Sequence, residues 1–360
     1  MNCAQKIEAI FRGDMVDYVP FTLKGWRLPP CRMERVLRNN GMGVIDNCSV
    51  YSTRTPNVQT ETHSYVENGV ALQRTVVKTP VGDLTSVDRR IAPERTEGTT
   101  WHLERPFKGP EDYKILHFMA RDRQYAPAYD RFLKAQAQMD GEAFFKTGMP
   151  GIPLHGLMYS TMGLETFSIE WAERRDEVIA LHNVMAENQR EAYHLVANSP
   201  ALAVQCGGNY ASDVLGKQRF VDYVLPQWDE AADILHAGGK LLGCHLDANN
   251  SLWAKEVGAA PLDWIEAFTP VPDTDMTMAE ARAAWPGKTM FINYPSSVHL
   301  DTPDEIAAAT RQILKESAPG DRLIIGITEN VPEHRWRESF TAILNTCKEY
   351  GKLPIDPNRF

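Results

Sequence analysis

The feature that most restricts the fold is an alternation. Short runs rich in Val, Ile and Phe recur between longer segments of helical period, the pattern of βα units feeding one parallel sheet. Eight runs read as strands: Tyr18–Leu23, Val44–Tyr51, Ala143–Thr147, Leu202–Cys206, Lys240–Leu246, Asp263–Phe268, Thr289–Asn293 and Arg322–Ile327. Eight such units over 360 residues fit one (β/α)8 barrel, a fold that often reaches this length as a single domain. No repeat, biased tract or linker divides the chain, so residues 1–360 read as one TIM-barrel domain.

Helix grammar fills several gaps between the strands. Thr302 caps, Pro303 suits the first turn and Glu305 completes a capping box, after which Ile306, Thr310, Ile313 and Leu314 share a face. From Val214 to Ala237 one helix is expected, with Phe220, Val224, Trp228, Ala231 and Leu235 on one side and Gly238-Gly239 as its stop. One region breaks the alternation. About residues 62–105 read as a β-meander near the N-terminus, with turns at Asn68-Gly69 and Pro80-Val81-Gly82-Asp83. It falls between the second and third barrel strands and is expected as an insertion lying over one mouth of the barrel.

Composition excludes several classes. With 43% hydrophobic and 24% charged residues the chain can bury a large core, which excludes disorder as its general state. A formal charge of -9, with no local basic patch visible along the sequence, argues against a nucleic-acid partner. No apolar run is long enough to span a bilayer, and Met1–Glu8 lacks the pattern of a signal peptide, so no membrane partner is expected. Six cysteines without a CxxC pair suggest reduced thiols and a cytoplasmic location. Neither a G-x-S-x-G elbow nor a phosphate-binding P-loop is present.

Barrel enzymes place their chemistry at the C-terminal ends of the strands. The polar residues there are Lys24 and Arg27, Asn47, Thr147, Asn209 with Tyr210, His245 with Asp247, Glu266, Asn293 with Tyr294, and Glu329 with Asn330. His245 and Asp247 stand two apart, so both can face the mouth while Cys244 faces away. Imidazole and carboxylates from neighbouring strands suit a divalent metal of the zinc type, and His245, Asp247, Glu266 and Glu329 are the candidate ligands. His245 reads equally as a hydrogen-bonded structural histidine. Glu266 lies in an otherwise apolar run, so it needs a cation, whether a metal or an arginine, a hydrogen-bond donor or a proton. Arg27, Asn209, Tyr210 and Tyr294 are candidates for orienting substrate, with wall packing or a surface salt bridge as the alternative.

Phe11-Arg12-Gly13-Asp14-Met15-Val16-Asp17-Tyr18-Val19-Pro20-Phe21 resembles the opening of the uroporphyrinogen decarboxylase superfamily. The resemblance continues through Pro153 to Glu165, Phe220 to Trp228, the His245 strand and Thr302 to Pro354, and so covers most of the chain. It implies one of two chemistries, metal-independent decarboxylation or zinc-dependent methyl transfer involving corrinoid proteins. Decarboxylases of the family carry M-R-Q-A-G-R-Y-L-P-E, where this chain has Leu23-Lys24-Gly25-Trp26-Arg27-Leu28-Pro29-Pro30 with at most one matching arginine. The methyltransferase branch carries H-x-C and a later cysteine. Here His245-Leu246-Asp247 and Thr328-Glu329 occupy those places, with carboxylates where the family has thiolates. By this resemblance the expected protein is a zinc-dependent methyltransferase passing a methyl group from a small methoxy or methanol-like compound to cobalamin on a corrinoid protein. A metal-free lyase acting on a carboxylated substrate is the alternative, and a non-catalytic binding barrel a third reading.

Overall fold

The computed structural model describes residues 1–91 and 99–360. Residues 92–98 of the expected meander lie outside the described residues. The strands in chain order are β1 (Phe21–Leu23), β2 (Gly43–Asn47), β3 (Tyr51–Arg54), β4 (Gln59–Glu67), β5 (Val70–Thr79), β6 (Gly82–Ile91), β7 (Thr99–Glu104), β8 (Gln124–Pro127), β9 (Phe144–Met149), β10 (Ala203–Cys206), β11 (Leu241–His245), β12 (Trp264–Glu266), β13 (Thr289–Asn293) and β14 (Leu323–Ile327). Eight of them close a parallel barrel in the order β1, β14, β13, β12, β11, β10, β9, β2. The eight runs expected from sequence supply these staves. Val44–Tyr51 differs in being two strands, because the chain leaves the barrel after Asn47 and Tyr51 pairs antiparallel with Pro127.

The chain divides into two compact units. The first comprises Met1–Val50, Ala128–Met149 and Val196–Phe360 and contains the barrel. Its amino-terminal helix, Cys3–Arg12, begins with an Asn2/Gln5 capping box and presents Ile7, Ile10 and Phe11 to the barrel core. Phe11 stacks on Phe144 at 5.2 Å and meets Trp264 edge-on at 5.1 Å. Ile45, Ala203, Phe291 and Ile324 complete this apolar layer, which gives the barrel a dry floor. Gly243 is demanded here, since a Cβ on it would stand 2.2 Å from the Trp264 ring. Alternation along the strands then sets the next inward residues, two positions further on, one layer above the floor.

The helix Pro303–Glu316 carries the expected capping box and buries Ile306, Thr310, Ile313 and Leu314. The expected Val214–Ala237 helix is instead broken into Ser212–Leu215, Lys217–Arg219, a π turn at Phe220–Val224 and Leu225–Ala237. Gly216 at φ 74° interrupts the first part, and Pro226, which has no N–H to donate, sits at the start of the last. Phe220, Val224, Trp228, Ala231 and Leu235 are nevertheless all buried.

The second unit comprises Tyr51–Pro127 and Pro150–Leu195. It holds the antiparallel pair β3 and β8 and the four-stranded sheet β4 to β7. Asn68-Gly69 forms the expected hairpin, both residues at positive φ, and Pro80-Val81 joins β5 to β6. Elsewhere in this unit the Tyr113 hydroxyl donates to Glu170 at 2.9 Å, and Glu170 pairs with Arg174 at 2.6 Å.

Candidate active site

Above the apolar floor, four neighbouring staves place a row of polar side chains: Lys146 on β9, Gln205 on β10, His245 on β11 and Glu266 on β12. Lys146 and Glu266 are 2% and 0% exposed, and their ammonium and carboxylate are 3.0 Å apart. The Gln205 side chain bridges the pair, its carbonyl accepting from Lys146 and its amide donating to Glu266. Register sets His245 opposite Glu266 across the β11–β12 ladder, and Nδ1 lies 2.8 Å from Glu266 Oε2. Nε2 of the same ring lies 3.2 Å from Asp247 Oδ2. Cys244 is fully buried and belongs to the opposite parity.

The electrostatics follow from burial working against neighbours. Burial alone would raise the Glu266 carboxyl, but Lys146 and His245 outweigh it and hold the group far below the usual carboxylate range. Burial would lower His245, yet hydrogen bonds to Asp247 and Glu266 raise it to about 9. Burial draws the Lys146 ammonium below its ordinary value, opposed by Glu266 and reinforced by the charge of Lys24. Two cations and two carboxylates thus neutralise one another in a dry barrel, where either sign left alone would be costly.

Lys146 meets the need that Glu266 has for a partner. The run Phe144-Phe145-Lys146 carries the signal that singled out Glu266, a charge in an apolar strand, and it marks Lys146 equally well. Gln205 carries no such mark. The other expected residues fall elsewhere. The Tyr210 hydroxyl donates to Gly207 O at 3.2 Å and its ring packs on Phe220 and Trp228, all buried. The Tyr294 hydroxyl donates to Ile306 O at 2.9 Å on the helix Pro303–Glu316. Both tyrosines therefore serve as wall packing. Tyr294 follows strand parity outward, whereas Asn293, one residue earlier, accepts from the Thr328 amide at 2.8 Å; Tyr210 lies past the end of β10. Asn209 is exposed. Arg27 clamps the end of β14, donating to Asn330 at 2.6 Å and to the Thr328 carbonyl. Glu329 is exposed beyond that clamp.

The donors can be tested against zinc. Asp247 Oδ1 is buried without a hydrogen-bond partner among the described residues, an acceptor open to a cation or to a substrate donor. His245, however, has both ring nitrogens on carboxylates; Glu266 has Oε2 on His245 and Gln205, and Oε1, which accepts no hydrogen bond among the described residues, lies 3.0 Å from the Lys146 ammonium. Catalytic zinc uses three protein ligands. Among the described residues no three His, Cys, Asp or Glu side chains are grouped as a metal would need. The set as folded does not fit a resident zinc ion.

An open cleft of about 700 Å³ lies in the same unit, lined by Lys24, Trp26, Asp46, Phe145 and the helix residues Arg131 and Lys134. The Gly25 amide donates to Asp46 at 2.8 Å and fixes the loop after β1. A Cβ at Gly25 would meet the Asp46 carboxylate at 2.7 Å. The cleft's cations come from positions 24, 131 and 134, so no basic patch shows along the sequence although one exists in space.

No family model matches the chain, and no curated protein does. Among solved structures it is similar to a methyltransferase from Methanosarcina mazei, with a TM-score of 0.58, 9% identity and coverage of 97% of this chain and 99% of that one. It also matches, at a TM-score of 0.39 and 8% identity, a pneumococcal exo-β-D-N-acetylglucosaminidase module, over 96% of this chain and 88% of that one. A glycoside hydrolase of family 5 from Bacteroides vulgatus aligns at a TM-score of 0.32 and 12% identity, over 86% of this chain and 58% of that one. The first likeness extends over both chains almost end to end and shows a shared fold. Among the described residues no helix is long and apolar enough to cross a membrane.

Proposed function

We propose that this chain is a methyltransferase that removes the methyl group of a small methoxylated compound at the C-terminal mouth of its barrel. The observation that carries the reading is the row of Lys146 on β9, His245 on β11 and Glu266 on β12, with Asp247 just past β11, in a fold shared with a methyltransferase. Breaking an ether requires that charge on the departing oxygen be neutralised. In this chain the imidazolium of His245 is suited to that task. When a substrate oxygen takes the place of Asp247 opposite Nε2, His245 donates its proton to the leaving alkoxide. Glu266 holds the Nδ1 hydrogen and so fixes the ring, and Lys146 keeps Glu266 ionised. The methyl acceptor in this reading is the corrinoid of a partner protein, which supplies a nucleophilic cobalt. The family resemblance supports that choice.

The test combines the purified chain, added cob(I)alamin and a panel of methoxy compounds, with methylcobalamin followed by its absorbance. Methylcobalamin should form, and formation should be lost in His245→Gln and Glu266→Gln. Failure of every methoxy donor overturns the reading. The basic cleft beside Lys24 favours a second one, decarboxylation of an organic acid without a metal, for which release of carbon dioxide is the sign.

A further inference from the structure

Three cations, Lys24, Arg131 and Lys134, face one carboxylate, Asp46, around the cleft, on a chain whose formal charge is -9. None of the three has an ion-pair partner among the described residues, and Asp46 already accepts from the Gly25 amide. Arg131 and Lys134 stand three apart on the helix Tyr129–Met139, so they share a face. Trp26, 49% exposed, and Phe145 supply flat apolar surface beside them. The volume, about 700 Å³, suits a molecule of substrate size. The cleft is also joined electrically to the buried row: the Lys24 charge bears on both Lys146 and Glu266.

We infer that the cleft lined by Lys24, Arg131, Lys134 and Trp26 binds a planar organic oxyanion, a carboxylate or a phosphate on a ring, as the anchoring half of the substrate. The ring lies against Trp26 and the oxyanion against the Arg131 and Lys134 side chains. Arginine offers paired N–H donors that match either oxyanion, and lysine adds charge. Lys24 is the member of the cleft whose charge reaches the buried row, and so ties the anchored molecule to the reaction site. The inference rests on the mouth being the reaction site, and its test reads binding without turnover.

Calorimetric titration of the full chain with 4-methoxybenzoate, phenyl phosphate, inorganic phosphate and the uncharged 4-methoxybenzamide provides that test. At least one ring anion should bind about tenfold or more tightly than the amide, as lost charge-assisted contacts of this kind imply. Which anion binds tighter distinguishes carboxylate from phosphate. The double variant Arg131→Ala/Lys134→Ala changes only exposed helix positions and should close most of that gap, while Trp26→Ala should weaken all the ring probes. Anions binding no better than the amide, or a gap that survives the double variant, overturn the inference. Inorganic phosphate binding as tightly as phenyl phosphate overturns the planar half. Anion binding without methyl transfer would overturn the proposed reaction and leave the cleft standing. Methyl transfer with a KM unmoved by the double variant would do the reverse.

Discussion

Replacing Lys146 by methionine removes the ammonium from Glu266 and changes little else in volume. Breaking one side of a buried ion pair costs ~3–5 kcal/mol, because the remaining charge stays buried. Here Glu266 keeps His245 at 2.8 Å, so the lower end, about 3 kcal/mol, applies. Urea unfolding at pH 7, read as a midpoint shift at unchanged slope, measures it. Adding Glu266→Gln to Lys146→Met removes the stranded charge and should recover a substantial part of the loss. The cost should also shrink as the pH is lowered, because Glu266 without Lys146 takes up a proton more readily. A loss below about 1 kcal/mol, or a double variant no better than the single one, would mean that Lys146 does not stabilise a buried Glu266 charge.

The raised value of His245 gives a second pH effect of opposite sign. Its protonated form is favoured in the fold, so this contribution is complete below about 6.5 and disappears as the pH rises through about 9. Relative to His245→Gln, the parent chain should therefore lose stability over that interval, as measured by urea midpoints. Gly243→Ala drives a methyl group into the Trp264 ring and should cost at least ~1–3 kcal/mol by the same assay. Thr302→Ala removes the cap of the helix Pro303–Glu316 and should cost about 1 kcal/mol. Tyr294→Phe deletes a buried hydrogen bond and should lower stability by about 1 kcal/mol while leaving kcat/KM unchanged, since its hydroxyl points to the helix.

The barrel was legible in the sequence because its signals are local. Apolar runs of strand length, a capping box and an Asn-Gly turn each declare themselves within a few residues. Parity placed His245 and Asp247 on one side and Cys244 on the other. The same parity, applied to Asn293, would have turned Tyr294 away from the mouth. Glu266 was legible as a charge needing a partner, but the identity of that partner was not, because β9 and β12 meet only through two intervening staves. Gln205 gives no signal at all, since a glutamine in a strand costs little until its neighbours are known. The basic cleft escaped for a related reason, as Lys24 lies more than a hundred residues from Arg131 and Lys134.

Both the electrostatics of the site and the proposed reaction require that His245 carries a proton, held between two carboxylates. Nitrogen-15 spectra of the histidine side chains, with His245→Gln used for assignment, read that state directly. The ring should be doubly protonated through pH 8 and titrate near 9. A ring neutral at pH 7, or one bound to a metal through Nε2, would contradict it.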